Sequence, residues 1–367
     1  MRILALLTDA FGSYGGIAEY NRNLLKALCS YPDISEVVAI PRLQPFETGP
    51  LPANLTYVTR GLNSKLKYVQ SIWKESRENP CFSLIVIGHL NLLPLVWLLK
   101  LETGVPVWLQ LHGTDAWPAR NRFYLRCLKR VSTCVSVSET TKKRFRKWSG
   151  FPEERFAILP NSVDLNRFTP GSKRTGLMNK YGLSGRLVLL TLGRLHTMER
   201  AKGLDEVMEV LPELLKEIPN LTYLICGDGS DRPRLEAKAR SFGVENRVVF
   251  AGLISEGDKV DHYRLADGYV MPSRGEGFGI AFIEALACGL PVVASNIDGS
   301  REAVRDPSWG ILVDPDNPEE VKQGIREVLR WSSGVRPAGL EYFSDTCFVR
   351  RAHRLIGTLL ASGKHEL

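Results

Sequence analysis

Leu265-Ala-Asp-Gly-Tyr-Val-Met-Pro-Ser273, followed after Arg-Gly by Glu276-Gly-Phe-Gly-Ile-Ala-Phe-Ile-Glu284, is the stretch that decides the fold of this 367-residue chain. The first part has the apolar run and the Pro-Ser turn of a short buried strand, and the second has the 3.6-residue period of a helix, which Gly289 ends. A helix start among glycines exposes N–H groups that suit phosphate, whereas carboxylates accept hydrogen bonds from hydroxyls. The stretch therefore predicts a site for a ligand that is both hydroxylated and anionic.

Working outward, strands alternate with helices along the whole chain, which predicts an α/β protein with two doubly wound, Rossmann-like parallel sheets facing across a cleft. The predicted domains are residues 1–168 and 169–340, joined by a Pro-, Gly- and Ser-rich link, with a last helix at 341–363. Sequence alone leaves open whether that helix completes the second domain. The predicted strands are 3–7, 37–40, 55–58, 84–87, 105–111, 133–137 and 157–159, and then 187–192, 222–226, 248–251, 269–271, 291–294 and 311–313.

Composition fits two ordinary cores, because 44% of the residues are hydrophobic. Seven cysteines without a Cys-x-x-Cys pair indicate free thiols in a reducing, cytoplasmic compartment. The apolar start of the chain is too short for a signal peptide. The longest apolar stretch, Leu84 to Leu101, is interrupted by His89, Asn91 and Pro94, so it predicts a strand and a helix at 92–100 rather than a membrane span.

The excess positive charge lies in the first half of the chain. Residues 1–168 hold 22 Lys and Arg against 13 Asp and Glu, whereas the remainder holds 26 against 27. Two predicted helices, at 120–130 and 142–148, mix basic and aromatic residues. Such a helix is expected to lie on an anionic membrane surface through Phe145 and Trp148, or to turn its aromatic side chains to the core and leave only a solvated basic face. No nucleic-acid-binding signature accompanies the basic residues.

Several further motifs stand at predicted strand ends, where doubly wound sheets bind ligands. These motifs are Gly15-Gly16, His112-Gly-Thr-Asp115, Gly193-Arg-Leu195 with Lys202-Gly203, and Gly227-Asp-Gly229. Together with Glu276 to Glu284, this ordered set resembles the retaining glycosyltransferases of family 4, or group 1, which have the glycosyltransferase-B fold. The resemblance implies that the last helix crosses back onto the N-terminal domain.

The resemblance also implies how the second domain binds a donor. Arg194 and Lys202 offset charge on the leaving diphosphate, with Arg200 a rival to Lys202. Glu276 contacts hydroxyls of the donor sugar, and Glu284 accepts hydrogen bonds from the ribose. The remaining implied donor contacts are the backbone N–H groups of Phe278 and Gly279, the base contacts of the 250–254 segment around Leu253, and the loop at Gly227.

In the first domain, the resemblance implies that Gly15 and Gly16 lie near the diphosphate and the acceptor, and that His112 lies beside the transferred sugar. A histidine at a cleft rim can donate to a sugar hydroxyl and support positive charge at the anomeric carbon, but a structural role is as compatible with the sequence. Asp115 is expected either to orient His112 or to cap the next turn.

The expected activity is that of a retaining, metal-independent glycosyltransferase. It moves a hexosyl group from a UDP-, GDP- or ADP-sugar to a hydroxyl of a sugar or lipid-linked acceptor, in polysaccharide, glycolipid or related synthesis. The sequence has no Asp-x-Asp grouping in a suitable loop and no Cys/His ligand spacing, which fits a site where Arg194 and Lys202 take the place of a metal. The catalytic residues that the resemblance implies are His112, Arg194, Lys202 and Glu276. A nucleotide-sugar epimerase of the same fold and a non-catalytic binding protein remain open alternatives.

Overall fold

A computed structural model describes residues 1–78, 81–99 and 105–362, which divide into two compact units. Unit 1 comprises Met1–Ser162 and the segment that begins at Asp345, and unit 2 comprises Val163–Ser344. Each unit contains one parallel sheet. Lys100 and Gly363, the last residues of two predicted helices, lie outside the described residues.

Unit 1 alternates strands and helices along residues 1–162. Its strands are β1 (Arg2–Leu7), β2 (Glu36–Pro41), β3 (Leu55–Tyr57), β4 (Leu84–Ile87), β5 (Val107–Leu111), β6 (Thr133–Ser136) and β7 (Phe156–Ile158). Its α-helices in this segment are α1 (Gly16–Cys29), α2 (Lys65–Glu78), α3 (Arg122–Leu128) and α4 (Glu139–Ser149).

The sheet of unit 1 has the order β3-β2-β1-β4-β5-β6-β7, and all its pairs are parallel. β1 lies in the middle, where Ile3 pairs with Val37 on one side and with Leu84 on the other. Strands of this kind read as continuous apolar runs because helices cover both faces of the sheet. The strand order reverses between β1 and β4, and doubly wound sheets bind ligands at such a point.

Unit 2 repeats this plan. Its helices are α5 (Thr175–Lys180), α6 (Leu204–Glu217), α7 (Arg232–Ser241), α8 (Lys259–Arg264), α9 (Ile280–Ala287) and α10 (Pro318–Val328). Its strands are β8 (Leu187–Leu192), β9 (Leu221–Cys226), β10 (Val248–Gly252), β11 (Gly268–Met271), β12 (Val292–Ser295) and β13 (Gly310–Val313). The parallel order is β10-β9-β8-β11-β12-β13, so the reversal lies between β8 and β11. The two predicted Rossmann-like sheets are confirmed, and every predicted strand is present.

The last helix, α11 (Asp345–Ser362), belongs to unit 1. His353 Nε2 on α11 donates to the Ala27 carbonyl of α1 over 3.0 Å, and the Phe348 ring lies 5.5 Å from that of Tyr20. The helix therefore packs on the N-terminal unit, as the resemblance implies, and does not complete unit 2.

Two details differ from the predicted organisation. The units separate at Val163 rather than after residue 168, because the Val163 N–H donates to the Phe343 carbonyl and ties the link to unit 2. The helix predicted at 92–100 is a 3-10 helix over Leu90–Trp97. Pro94 lies inside this segment, and proline disrupts an α-helical interior by removing an N–H donor and clashing with the preceding turn.

No helix within 1–78, 81–99 and 105–362 is both long enough and apolar enough to cross a membrane. In the same ranges, no three His, Cys, Asp or Glu residues are grouped as ligands for a metal ion.

Candidate active site

Five of the predicted donor residues of unit 2 lie on the loops that follow β8 and β11, where the strand order reverses: Arg194, Lys202, Glu276, Phe278 and Gly279. The loop after β8 contains a 3-10 helix, Thr197–Lys202, and ends at Gly203. Gly203 has φ 82°, and a Cβ there would lie 2.4 Å from the Pro272 carbonyl oxygen at the end of β11. Glycine is required because it permits both this backbone conformation and this close approach. The approach brings Lys202 to the loop that carries Glu276.

Lys202 and Glu276 form an ion pair at this point. The Lys202 Nζ donates to Glu276 Oε1 over 2.7 Å, and the two side chains are 20% and 17% exposed. Partly buried charges are usually paired, because an unpaired one carries an uncompensated desolvation cost. The pair places a cation and a carboxylate side by side at the carboxyl ends of β8 and β11.

The other candidate cations of this loop have different surroundings. Arg194, directly after Gly193, is exposed. Arg200 donates from Nε to Asp231 Oδ1 over 3.2 Å. The geometry thus separates the two rivals: Lys202 contacts Glu276, whereas Arg200 belongs to a charge cluster around Asp231.

Asp298 holds the Glu276 loop. Its carboxylate is fully buried, and Oδ2 accepts hydrogen bonds from the Ser273 hydroxyl (2.6 Å) and from the Glu276 backbone N–H (2.9 Å). Oδ1 accepts from the backbone N–H (3.0 Å) and the hydroxyl (2.6 Å) of Ser300. Burial raises the pKa of Asp298, although these hydrogen bonds oppose the rise. Gly299 completes the contact, since its N–H donates to the Glu276 carbonyl.

The start of α9 provides the backbone donors. Gly279 precedes the helix with φ 85°, a conformation that glycine adopts without strain. The Phe278 side chain is buried and its ring lies 5.4 Å from that of Phe343, so this side chain belongs to the core. The first N–H groups of a helix have no intrahelical acceptor, and the helix dipole favours an anion beside them.

Glu284 lies inside α9 and is buried with two partners. Its Oε2 accepts from the Tyr263 hydroxyl over 2.7 Å, and its Oε1 accepts from Lys259 Nζ over 3.2 Å. Burial alone would lower the pKa of Lys259, but the carboxylates of Glu284 and Glu256 raise it above its usual value. A lysine that stays charged compensates the charge of Glu284, and the two hydrogen bonds fix the position of this carboxylate.

The loop after β9 requires a glycine at position 227 because the backbone packs closely there. Gly227 has φ 145°, and a Cβ on it would lie 1.8 Å from the Gly193 carbonyl oxygen. Its N–H donates to the Gly252 carbonyl over 2.8 Å. Gly227 therefore supports the loop after β8 through backbone packing.

Leu253, next to Gly252, is 83% exposed and borders a pocket of about 310 Å³ within unit 2. Helix α5 supplies Lys180 and the adjoining Tyr181, while His262 lies on the α8 side. Apolar and hydrogen-bonding groups together make this pocket suitable for a flat heterocycle.

In unit 1, His112 follows β5. Its Nε2 lies 2.9 Å from the Gly88 carbonyl oxygen, which can only accept, so Nε2 carries the proton. Burial lowers the pKa of His112, and the charge of Asp115 only partly offsets this. The neutral ring consequently offers Nδ1 as an acceptor, whereas the expected donation to a sugar hydroxyl would require the protonated ring.

The Asp115 carboxylate lies close to the imidazole of His89. Its Oδ2 lies 3.7 Å from His89 Nε2, and His89 Nδ1 accepts from the Asn91 N–H. The two imidazole rings are 6.0 Å apart. A carboxylate and two histidines therefore meet at the ends of β4 and β5.

Gly15 and Gly16 stand at the start of α1, and both are exposed. Gly15 has φ 106°, and a Cβ on it would meet no atom within 4 Å, so its backbone conformation rather than crowding favours glycine. The preceding loop is fixed by α1, because Asn21 Nδ2 donates to the Asp9 carbonyl and Arg22 donates to the Ala10 carbonyl. The exposed helix start suits an anion.

Comparison with known proteins assigns the family. A family model described as "Glycosyltransferase Family 4" matches residues 14–167, and one described as "Glycosyl transferases group 1" matches residues 174–333. The chain belongs to the group 1, family 4 glycosyltransferases.

Two curated relatives of this family 4 member have informative names. The GDP-mannose-dependent alpha-(1-6)-phosphatidylinositol monomannoside mannosyltransferase of Mycolicibacterium smegmatis is 33% identical, over 63% of this chain and 62% of that protein. The D-inositol 3-phosphate glycosyltransferase of Geodermatophilus obscurus is 36% identical, over 49% of this chain and 41% of that protein. The chain thus spans less than two thirds of the length of either relative.

Solved structures share the fold. Anabaena Alr3699/HepE in complex with UDP and glucose has a TM-score of 0.75 at 19% identity, covering 98% of this chain and 100% of that one. Sucrose-phosphate synthase from Thermosynechococcus elongatus has a TM-score of 0.76 at 21% identity, covering 99% and 100%. At these identities the likeness establishes the glycosyltransferase-B fold of this family 4 member.

Three residues of the site were missed from the sequence. Asp298 follows a strand and stands two residues before Ser300. This spacing is typical of a turn in which an aspartate carboxylate accepts the backbone N–H two residues later. His89 follows β4 just as His112 follows β5, so the rule of strand ends applies to both. Tyr263 gave no signal, because an aromatic residue in a helix is usually only part of the core.

Proposed function

We propose that this chain transfers a hexosyl group from a nucleoside diphosphate sugar to an acceptor hydroxyl, with retention at the anomeric carbon and without a metal ion. The observation that carries the proposal is the Lys202–Glu276 pair at the strand reversal of unit 2. An ammonium suits phosphate oxygens, and a carboxylate suits sugar hydroxyls. A relative named for GDP-mannose and a neighbour bound to UDP and glucose support this choice of donor.

In the proposed complex, the diphosphate replaces Glu276 at the Lys202 ammonium. Arg194 adds a second cation, and the first N–H groups of α9 add the positive end of the helix dipole. Glu276, released from Lys202, accepts hydrogen bonds from the sugar. These fixed positive groups offset the charge that develops on the departing β-phosphate, which is the electrostatic contribution that fixed donors make in active sites.

We further propose that Glu284 accepts hydrogen bonds from the ribose and that the base lies by Leu253. Glu284 suits this role because Lys259 and Tyr263 each bond one of its oxygens, and each oxygen keeps a second lone pair. The pocket beside Leu253 is of a size to receive part of a nucleobase. The donor is a UDP-, GDP- or ADP-sugar, and ligand binding distinguishes among them.

For the acceptor, we propose binding on unit 1, beside His112 and the start of α1 at Gly15 and Gly16. The bond between the anomeric carbon and the β-phosphate oxygen breaks while the acceptor oxygen bonds to the same face of that carbon. The acceptor proton passes to the departing phosphate oxygen. Relatives named for a phosphatidylinositol monomannoside and for inositol 3-phosphate support a polyol, sugar or lipid-linked acceptor, as in glycolipid or polysaccharide synthesis.

Ligand binding tests the donor class first. A ligand that binds only the folded protein raises the melting temperature, so the purified chain is heated with UDP, GDP and ADP and with their hexose conjugates. We expect one nucleotide family to raise the melting temperature. If none does so at millimolar concentration, the nucleotide-sugar proposal is wrong. A changed nucleotide sugar released in the absence of any acceptor would instead identify an epimerase.

Substitution of the ion pair tests the site. Lys202→Ala and Glu276→Ala are each expected to lower donor turnover by roughly 10²- to 10³-fold, the usual effect of removing one group that stabilises the transition state. Lys322→Ala is the matched control, because Lys322 pairs with Glu213 and Glu319 away from the site. Turnover is measured with the nucleotide sugar that binds. Near-normal turnover in both Lys202→Ala and Glu276→Ala, with intact folding, would refute the assignment of this site.

A further inference from the structure

The aromatic side chains of α4 do not form the membrane surface that the sequence suggests. Phe145 is fully buried, and Trp148 donates from its indole N–H to the Ala116 carbonyl over 2.9 Å. On the basic side of the same helix, Lys142 and Arg146 both pair with Glu153. The second of the two expectations for this helix is therefore the one that the structure supports.

A different surface of unit 1 does expose aromatic side chains. Trp97 is 48% exposed, Phe123 is 47% exposed and Leu125 is 36% exposed. The 3-10 helix that ends at Trp97 packs against α3, where the Trp97 indole N–H donates to Cys127 Sγ over 3.1 Å. The Arg130 guanidinium lies 4.0 Å from the centre of the Trp97 ring. These contacts hold the indole at the surface instead of letting it fold inward.

The same surface is strongly positive. Arg122, Arg126 and Arg130 recur every four residues, so they lie along one side of α3 and of the turn that follows it. No Asp or Glu occurs between Asp115 and Glu139 in the sequence. Within the described part of the chain, the three arginines form no ion pair with a carboxylate. We call the exposed set the α3 surface: Trp97, Arg122, Phe123, Leu125, Arg126 and Arg130.

We propose that the α3 surface docks onto an anionic lipid bilayer. The three arginines bind phosphate groups of the lipid heads, while Trp97, Phe123 and Leu125 enter the boundary between head groups and acyl chains. A bilayer surface offers anionic and apolar partners at adjoining depths, and aromatic rings with basic neighbours are typical of such interfaces. This proposal stands apart from the donor site, because no residue of the α3 surface takes part in it.

Co-sedimentation with lipid vesicles tests the proposal on the whole chain. One set of vesicles is pure phosphatidylcholine, and the other is an equimolar mixture of phosphatidylcholine and phosphatidylglycerol. We expect binding to the anionic set alone, weakening as salt rises, because salt screens the attraction. Equal binding to both sets, or binding to neither, would overturn the proposal. Binding of single-stranded RNA in place of vesicles would overturn it too.

Two double variants locate the surface. Arg122→Glu with Arg126→Glu is expected to weaken binding to anionic vesicles at least about tenfold, since each basic residue near such a surface contributes about fivefold. Phe123→Ser with Leu125→Ser should weaken binding even at low salt. The matched control is Arg240→Glu with Phe242→Ser, which changes an exposed arginine and an exposed aromatic residue of unit 2. If the control weakens vesicle binding as much as the α3 variants do, binding does not depend specifically on the α3 surface and the proposal is wrong.

Folding is checked separately in each variant. The substituted side chains are exposed, so we expect melting temperatures within a few degrees of the unmodified chain. A nucleotide that raises the melting temperature of the unmodified chain should do the same in the α3 variants, because the donor residues lie in unit 2. Loss of vesicle binding with normal nucleotide binding supports the α3 surface, whereas unchanged vesicle binding in both α3 variants refutes it.

Discussion

Replacing Asp298 with asparagine should loosen the loop that carries Glu276 without changing the size of the side chain. Each carboxylate oxygen of Asp298 accepts one hydroxyl and one backbone N–H, the latter from Glu276 on one side and from Ser300 on the other. Asparagine has one oxygen and one NH₂ group. Whichever way the amide turns, its NH₂ faces a backbone N–H that can only donate. Serine hydroxyls can rotate, but those two N–H groups cannot.

The magnitude follows from this mismatch. A buried donor that loses its acceptor costs about 1–3 kcal/mol, which corresponds to roughly a 5- to 150-fold change in a local opening equilibrium. Global stability is a poor measure of this cost, because burial disfavours the Asp298 charge and a neutral amide recovers part of that penalty. The informative quantity is therefore the opening of the loop itself.

Hydrogen exchange followed by mass spectrometry measures that opening in the peptide that contains Glu276. We expect faster exchange of this peptide in Asp298→Asn, by roughly 5- to 150-fold at the affected amide, and lower donor turnover. The control is Asp306→Asn, since Asp306 Oδ1 also accepts the N–H and hydroxyl of one serine, Ser308, but in an exposed turn. Unchanged exchange at both the Glu276 and the Ser300 amides would refute the reasoning.

Two further substitutions probe charges of unit 2. Burial alone would raise the pKa of Asp205, but hydrogen bonds from Arg234 and Lys238 lower it to about 2. This pairing stabilises the fold fully above the pKa of the unfolded chain, near 4, and the stabilisation is lost as the pH falls towards 2. Asp205→Asn should therefore lower the free energy of unfolding by roughly 2 kcal/mol at pH 7 and by progressively less between pH 4 and pH 2. Thermal melts across this pH range measure the difference. Glu284→Gln keeps the shape of the side chain that we propose binds ribose, but it removes the charge and weakens the bond to Lys259. Calorimetry should show nucleoside diphosphate binding about tenfold weaker, and unchanged affinity would exclude the ribose role.

The sequence predicts the strands well because their burial leaves a strong pattern. β4, Leu84–Ile87, and β12, Val292–Ser295, consist almost wholly of apolar residues between turn signals, as strands covered on both faces must. Helix type was harder to predict. The segment Leu90–Trp97 is apolar and of helical length, but Pro94 inside it disfavours an α-helix, and no periodicity records that effect.

The site was predictable to the extent that its residues follow strands. Glu276, Lys202 and His112 are candidates because they follow strands and also match the family motifs, and their roles stay predictions. What they contact could not be read from the sequence. The bond between Lys202 and Glu276 joins residues far apart in the chain, and it depends on how closely Gly203 approaches Pro272.

The contacts of Glu276 and Glu284 indicate why two carboxylates at this spacing have different chemistry. Glu284 is buried and each of its oxygens is bonded to a side chain of α8, so its position is set by the fold before any ligand arrives. Glu276 is bonded through its side chain to Lys202, a partner that an anionic ligand can take over, while Asp298 fixes only its backbone. An anion at Lys202 would thus free one carboxylate and leave the other in place. The first is suited to respond to the ligand, and the second to position it.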